Sequence, residues 1–455
     1  MKHGFLLSLC FVLFAVQVFA LDLFSLFRSE ETWNKNPASF VIVHRKNGFV
    51  YTDDSRSAAY SVKRGDLFFG TLPVYEARVF WDDGKLSRVE ISIFNKGDAE
   101  TPLNQRDFEL LVKRASDILD AGIGNGVSSP QEKLANHMLS QSRRWSTASI
   151  LVQLQWALTK PYRGLNGYVP FSAEYLRVTF VRATGFSAKD NAALTGRGIL
   201  VKPKSLSELR KRVEKSPKGD VFIPKIPMVD QGQKGYCSAA TAERLLRYYG
   251  LLVDQHQVAQ LAETSAKSGT TFEGFASAIE TIGRSFSLDR DFLSETNRGG
   301  DFSKSASAAD LEAYNRIAKK RGAAVIDWRD HSTLVSPNMY SINLTSIWLS
   351  MDSEILLEAK TAQKMKMKAF SRNIVKFIDS GVPLFWSCVV GLFPEVPDVG
   401  GMGVFGHMRL IIGYNLRTQE IIYSDSWGAG HDFKRMPIDM AWSMTMGLIA
   451  LKPRN

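Results

Sequence analysis

Three side chains in this 455-residue chain are of the types that together cleave an amide: Cys237, His407 and Asp425. Cys237 follows the short Gly-containing stretch Gln231-Gly232-Gln233-Lys234-Gly235-Tyr236 and opens the run Ser238 to Gly250. In that run Ala242, Leu245, Leu246 and Tyr249 recur at helical spacing, and Gly250 is a fitting stop. The pattern predicts a helix with the cysteine at its positive end, where the dipole favours thiolate over thiol. A thiolate is the form that attacks a carbonyl carbon, and it needs a base that is itself oriented. His407 begins the apolar run Met408 to Tyr414, and Asp425 lies just past the run Glu420 to Tyr423. A turn over Asn415-Leu416-Arg417-Thr418 makes these runs antiparallel neighbours, so the far ends of the hairpin bring His407 and Asp425 together. The carboxylate then accepts from one imidazole nitrogen and leaves the other for Cys237. Gln231, six residues before the cysteine, offers a side-chain amide to a developing oxyanion, with the Cys237 backbone N–H as the second donor.

The remaining candidates read as structural. Cys388 sits in the apolar run Leu384 to Val390 and Cys10 in the N-terminal apolar run, so no disulfide framework is expected. His44, His256, His331 and His431 have no partners at motif spacing. There is no CxxC pair and no HExxH, so neither a metal nor any other cofactor is expected.

The elements that must position these residues fall in the second half. Helical patterns cover Asp254–Glu263, Phe272–Ile282 behind a Gly269-Thr270-Thr271 cap, Ala309–Lys320, Glu354–Phe370 and Phe370–Asp379, with Gly381 as the stop. Strand patterns follow at 382–390, 408–414 and 420–423. Helices first and strands later point to an α+β domain over residues 225–455. Residues 201–224 are basic and breaker-rich and read as a linker, with a short helix expected between Lys202-Pro203-Lys204-Ser205 and Lys215-Ser216-Pro217-Lys218-Gly219. Residues 21–200 read as a separate α+β accessory unit or pro-domain. Hairpins are expected over 40–51 and 77–93, helices at 108–119 and 128–141, and strands at 150–158 and 175–181. An intramolecular contact between this unit and the 225–455 domain is one partnership such an organisation allows.

Residues 1–20 have the form of a secretory signal: Lys2 and His3, an apolar Phe5–Val16, and Val18-Phe19-Ala20 as a cleavage site. The expected compartment is therefore secreted or periplasmic, with no integral membrane segment once the signal is removed. The formal net charge is +11 and the pI about 9.4, but the charges are spread and no basic patch interleaves with aromatics. Nucleic acid is thus excluded as the expected partner, and a peptide or protein substrate fits the chemistry.

The ordered motifs Gln231-Gly232-x-x-Gly235-Tyr236-Cys237, His407 on a strand ending Ile412-Gly413-Tyr414, and Asp425-Ser426-Trp427-Gly428 resemble those of papain-like cysteine peptidases. Tyr-Cys-Ser-Ala-Ala is closest to the bacterial C39-like branch. The resemblance covers roughly residues 225–455 and implies a two-lobed peptidase domain. It implies Cys237 as nucleophile, His407 as base and then acid, Asp425 as orienter, Gln231 in the oxyanion hole, and Trp427 as a shield over the His–Asp pair. Asp425 stands where papain-type enzymes usually carry Asn, and the Cys-to-His spacing exceeds the ~130 residues of the papain pattern. Two alternatives share these residues. One is a transglutaminase-like acyl transferase, and the other is a catalytically inactive papain-fold binding module.

Overall fold

In the computed structural model, residues 20–454 are described except 53–55, 64, 97, 100, 134–137, 165–166, 184–202, 230, 232–234, 252–254, 263–269, 271, 294–301, 303–304, 337–338, 399–402 and 429. The signal sequence and most of the 269–271 cap lie outside the described residues. Two compact units form, one mainly from the first 200 residues and one from Val201 onward.

The first unit is built on a large antiparallel sheet. Its centre runs β1 (Glu76–Asp82), β2 (Lys85–Asn95), β5 (Ser172–Arg182), β4 (Ile150–Thr159) and β3 (Met138–Ser146). Helix α1 covers Pro37–His44 and helix α2 covers Gln105–Ile123. The expected hairpin over 77–93 forms, with Val79 opposite Val89. The expected strand at 40–43 does not. Pro37 at the first helical turn and the Asn36 side chain, which accepts from the Ser39 N–H at 2.9 Å, start α1 instead. The β-branched run Val41-Ile42-Val43 is carried along by this cap, and Ile42 stays 75% exposed. The expected helix over 128–141 is likewise overturned. Met138 onward is strand β3, zipped to β4 from Met138↔Thr159 to Ser146↔Leu151. Tertiary pairing there overrides a local pattern that was ambiguous between periods.

The second unit is α+β. Its sheet runs β6 (Asp220–Phe222), β9 (Phe405–Asn415), β8 (Leu384–Val390), β12 (Thr445–Pro453) and β7 (Leu288–Phe292), all antiparallel. Strand β10 (Glu420–Ser424) pairs with β9, and β11 (Lys434–Pro437) with β10. The 201–224 stretch is no free linker. It holds a capping-boxed helix at Leu206–Arg210, and β6 pairs with Gly413–Asn415. A Cβ on Gly381 (φ +76°) would collide with the Leu209 carbonyl, which is why the stop after the 364–378 helix must be glycine.

The helices are α3 (Cys237–Tyr248), α4 (Gln255–Leu261), α5 (Phe272–Phe286), α6 (Ala306–Lys320), α7 (Ser353–Thr361), α8 (Lys364–Ile378) and α9 (Ile438–Ser443). The two helices expected from 354 to 379 form, but the boundary lies at Gln363 rather than Phe370, where a ψ of +56° separates α7 from α8. The predicted apolar face of α3 is right, since Ala242, Leu245, Leu246 and Tyr249 are fully buried among Leu384, Leu410 and Ile412. Its polar residues are buried as well. Thr241 donates to the Met408 carbonyl (3.1 Å), and Arg244 donates to the Pro227 carbonyl (3.0 Å). Among the described residues no helix is long and apolar enough to cross a membrane.

Candidate active site

The site forms where the start of α3 meets the beginning of β9 and the end of β10. Cys237 is the first residue of α3, half-buried, with Tyr236 before it lacking any side-chain cap. An uncapped N-terminus leaves its positive end directed at the sulfur. Thr241, one turn along, is bonded to the Met408 carbonyl and fixes α3 against the strand beside His407. Arg244 reaches the Asp425 carbonyl and the Ser424 hydroxyl, both at 2.5 Å, so the same helix also holds the end of β10.

His407 and Asp425 meet as the hairpin geometry requires. Nε2 of His407 lies 3.1 Å from Oδ1 of Asp425, and both side chains are buried. Nδ1 is therefore the nitrogen left for Cys237. Burial alone would push the thiol pKa up. The hydrogen bond and charge of His407, with smaller help from the Met408 N–H and the Ser238 hydroxyl, bring it below its ordinary value. Burial alone would push the imidazole down, but hydrogen bonds to Asp425 and Cys237 and their charges raise it above its ordinary value. The two shifts favour a thiolate–imidazolium pair. Trp427 stacks flat on His407, with ring centroids 4.3 Å apart and planes 16° apart. Its indole covers one face of the imidazole beside the carboxylate.

Gln231 is buried, and its Oε1 accepts from the Ser426 hydroxyl at 2.8 Å while its backbone N–H donates to the Ser426 carbonyl at 2.9 Å. With the carbonyl end of the amide anchored, the NH₂ end is the donor end. Ser426 thus joins the turn carrying Asp425 and Trp427 to the segment carrying Gln231.

Behind Asp425 lies a buried charge cluster that the sequence motifs did not reveal. Arg409 donates from Nε to Asp425 Oδ1 (2.7 Å) and grips Glu395 with both terminal nitrogens (2.9 and 2.8 Å). Lys434 lies 2.9 Å from Glu395 Oε2 and 3.5 Å from Asp425 Oδ2, and the Tyr423 hydroxyl donates to Glu395 (2.8 Å). The four charged side chains are fully buried. Two carboxylates and two cations make the set neutral. Burial would raise the Asp425 carboxyl, but Arg409, His407 and Lys434 hold it far below the usual carboxylate range. Glu395 is lowered in the same way, against burial, by Arg409 and Lys434. Arg409 was findable in principle. It lies two residues after His407 on a strand, hence on the same face. Glu395 follows β8 in an irregular segment and carries no periodic signal.

Cys388 is fully buried on β8, directly opposite His407 in register, and burial pushes its thiol well up. His331 lies away from the cluster, its Nδ1 2.8 Å from the Ser346 hydroxyl. His44 ends α1 in the first unit, where burial and nearby Lys35 and Lys46 lower its pKa to about 4. His431, which the sequence motifs left unpartnered, stands edge-on to Trp427 (5.6 Å), and its carbonyl accepts from the Asp425 N–H (2.8 Å). Among the described residues no group of three or more His, Cys, Asp or Glu could hold a metal ion.

Residues 223–447 match the Peptidase_C39 like family, a span that contains every residue of this cluster. Among solved structures, the chain is similar to xylellain, a cysteine protease from Xylella fastidiosa. The identity is 13% over 57% of this chain and 92% of that one, with a TM-score of 0.26. No curated protein matches.

Proposed function

We propose that this cysteine-type peptidase, whose residues 223–447 match the Peptidase_C39 like family, cleaves peptide bonds through Cys237, His407 and Asp425. The observation that carries this reading is the His407–Asp425 hydrogen bond at 3.1 Å, set beside a thiol whose pKa the imidazole lowers. The Cys237 sulfur attacks the scissile carbonyl carbon. The negative charge that develops on oxygen is met by the Cys237 N–H and the Gln231 amide. His407 passes its proton to the leaving amine, and a thioester remains on Cys237. His407 then takes a proton from water as the water attacks the thioester, which releases the acid and restores the thiolate. Asp425 stabilises the imidazolium throughout, and Trp427 keeps water from the His–Asp hydrogen bond. The match to the Peptidase_C39 like family supports a peptidase over acyl transfer to an amine.

Export through residues 1–20 belongs to the same proposal, as does an accessory role, in positioning or inhibition, for the first unit. An epoxide-type thiol probe tests the assignment of the nucleophile. Label and peptidase activity should both vanish in Cys237→Ala and persist in Cys388→Ala; loss of label in the second variant alone would overturn it.

A further inference from the structure

A cavity lies in the second unit, lined by none of Cys237, His407 and Asp425. It measures about 320 Å³, at the lower end of small-ligand pockets (~300–1,000 Å³). Trp348, Phe370, Trp442 and Met446 supply apolar walls, and Asp310, Lys360 and Lys366 supply charge. Thr445 of β12 also lines it. Cys388 pairs with Thr445 on one side and with His407 on the other. The cavity wall is therefore two strands, about 10 Å, from the candidate base.

Lys360 is the unusual group here. Its side chain is 2% exposed, yet among the described residues its ammonium meets one acceptor, Asp310 Oδ2 at 2.6 Å. An ammonium has three N–H donors, so two are left over. Buried donors without acceptors are costly, and the Trp442 and Trp348 rings, 4.2 and 5.7 Å from the ammonium, meet its charge without offering a hydrogen-bond acceptor. The other Asp310 oxygen accepts from Gln363 at 2.8 Å, so Asp310 is shared between the two side chains. Lys366 adds a second cation at the rim, so the cavity carries one net positive charge. Cationic ligands are disfavoured for a further reason. The aromatic face that would receive one is taken by Lys360 itself, 4.2 Å from the Trp442 ring centroid. A neutral apolar ligand would leave the two donors unmet.

We propose that this cavity binds a small amphipathic carboxylate, with its head on Lys360 and Lys366 and its aliphatic or aromatic body against Trp348, Phe370 and Trp442. Two sources share that chemistry: a free medium-chain or aryl acid, and the C-terminal carboxylate of a short peptide. Burial lowers the Lys360 pKa, and the charge and hydrogen bond of Asp310 oppose this.

The test uses the full chain carrying Cys237→Ala, so that peptides survive, and follows tryptophan fluorescence and calorimetric binding. The probes are octanoate, octylamine, N-acetyl-Leu-Phe and its C-terminal amide. Saturable binding of octanoate or the free-acid peptide is expected, with octylamine and the amide at least tenfold weaker. Binding of octanoate alone assigns a free acid, and binding of the peptide alone assigns a chain terminus. Lys360→Met should weaken binding at least tenfold. Ala369→Phe, which fills the void without touching the Lys360–Asp310 pair, should do the same and decides the matter if Lys360→Met fails to fold. No saturable binding in the millimolar range, equal binding of octylamine, or unchanged affinity in Ala369→Phe would overturn the proposal.

Discussion

Replacing Asp425 with asparagine gives the residue usual at this position in papain-type enzymes, and here it is expected to be damaging. The asparagine oxygen could still accept from His407, 3.1 Å away, and from Arg409 Nε, 2.7 Å away. The other side of the group is the difficulty. Oδ2 faces the Lys434 ammonium at 3.5 Å, and an NH₂ in its place sets donor against donor. The buried cluster also changes from neutral to one net positive charge, with Arg409 and Lys434 sharing Glu395 alone. Breaking a fully buried ion pair from one side costs about 3–5 kcal/mol. For a unit of this size each kcal/mol lowers the melting temperature by roughly 2–4 °C, so a fall of about 6–20 °C is expected.

The compensating change is Arg409→Met, which removes one cation and returns the cluster to neutrality. In a double-mutant cycle on thermal or urea unfolding, Asp425→Asn with Arg409→Met should therefore cost less than the sum of the single changes. A coupling of about 1–3 kcal/mol is expected. The pH–rate profile gives an independent reading. Without the carboxylate charge the imidazolium loses a stabiliser, so the alkaline limb of Asp425→Asn should move to lower pH. The reasoning fails if Asp425→Asn melts within about 2 °C of the parent, a shift worth roughly 1 kcal/mol or less, or if the two substitutions are additive.

Gln231→Ala should lower kcat about 10²–10³-fold with little change in KM, because the lost donor acts on charge present only in the transition state; steady-state kinetics on a peptide substrate check this. The parent kcat/KM should be bell-shaped in pH, since thiolate and imidazolium must coexist. Its acid limb should lie below the ordinary thiol value of ~8.5 and its alkaline limb above the ordinary imidazole value of ~6.5, as properties of the coupled pair. Asp425 and Glu395 have native pKa values below their unfolded ones, so their contribution to stability is complete above the unfolded values of about 4 and is lost as pH falls toward the native ones. Melting temperature followed from pH 7 to 2 should be level to about pH 5 and then fall; a rise on acidification would contradict the cluster.

The site was legible in the sequence wherever local geometry alone brings residues together. Helical spacing after Cys237 set the sulfur at the start of α3, and a turn at 415–418 set His407 against Asp425. Local sequence carries no signal where long-range contacts decide. Glu395 reaches Arg409 and Lys434 from a segment with no period to read. The burial of the polar side of α3 has no local signal, because Thr241 and Arg244 find their acceptors on segments distant in sequence, among them the Met408 and Asp425 carbonyls. In the first unit, Pro37 and the Asn36 cap outweighed a β-branched run that reads as strand in isolation. Between 128 and 141 the partner strand at 150–159, not the local pattern, decided the outcome.

The position of Arg409 changes what an acidic orienter means. An unneutralised aspartate buried beside an imidazole would carry a full charge at high desolvation cost. Here strand periodicity places Arg409 on the same face as His407 one pleat further along, within 2.7 Å of the same carboxylate oxygen that meets Nε2. Glu395 then holds the guanidinium from behind with two hydrogen bonds, and Lys434 closes the set against the second carboxylate oxygen. Viewed from the imidazole, Asp425 is a fixed acceptor whose charge still favours the imidazolium, while Arg409 and Lys434 offset the cost of burying that charge. The aspartate is accordingly inseparable from three residues outside the motif. A substitution that treats position 425 by itself removes a charge on which Arg409 and Lys434 both depend.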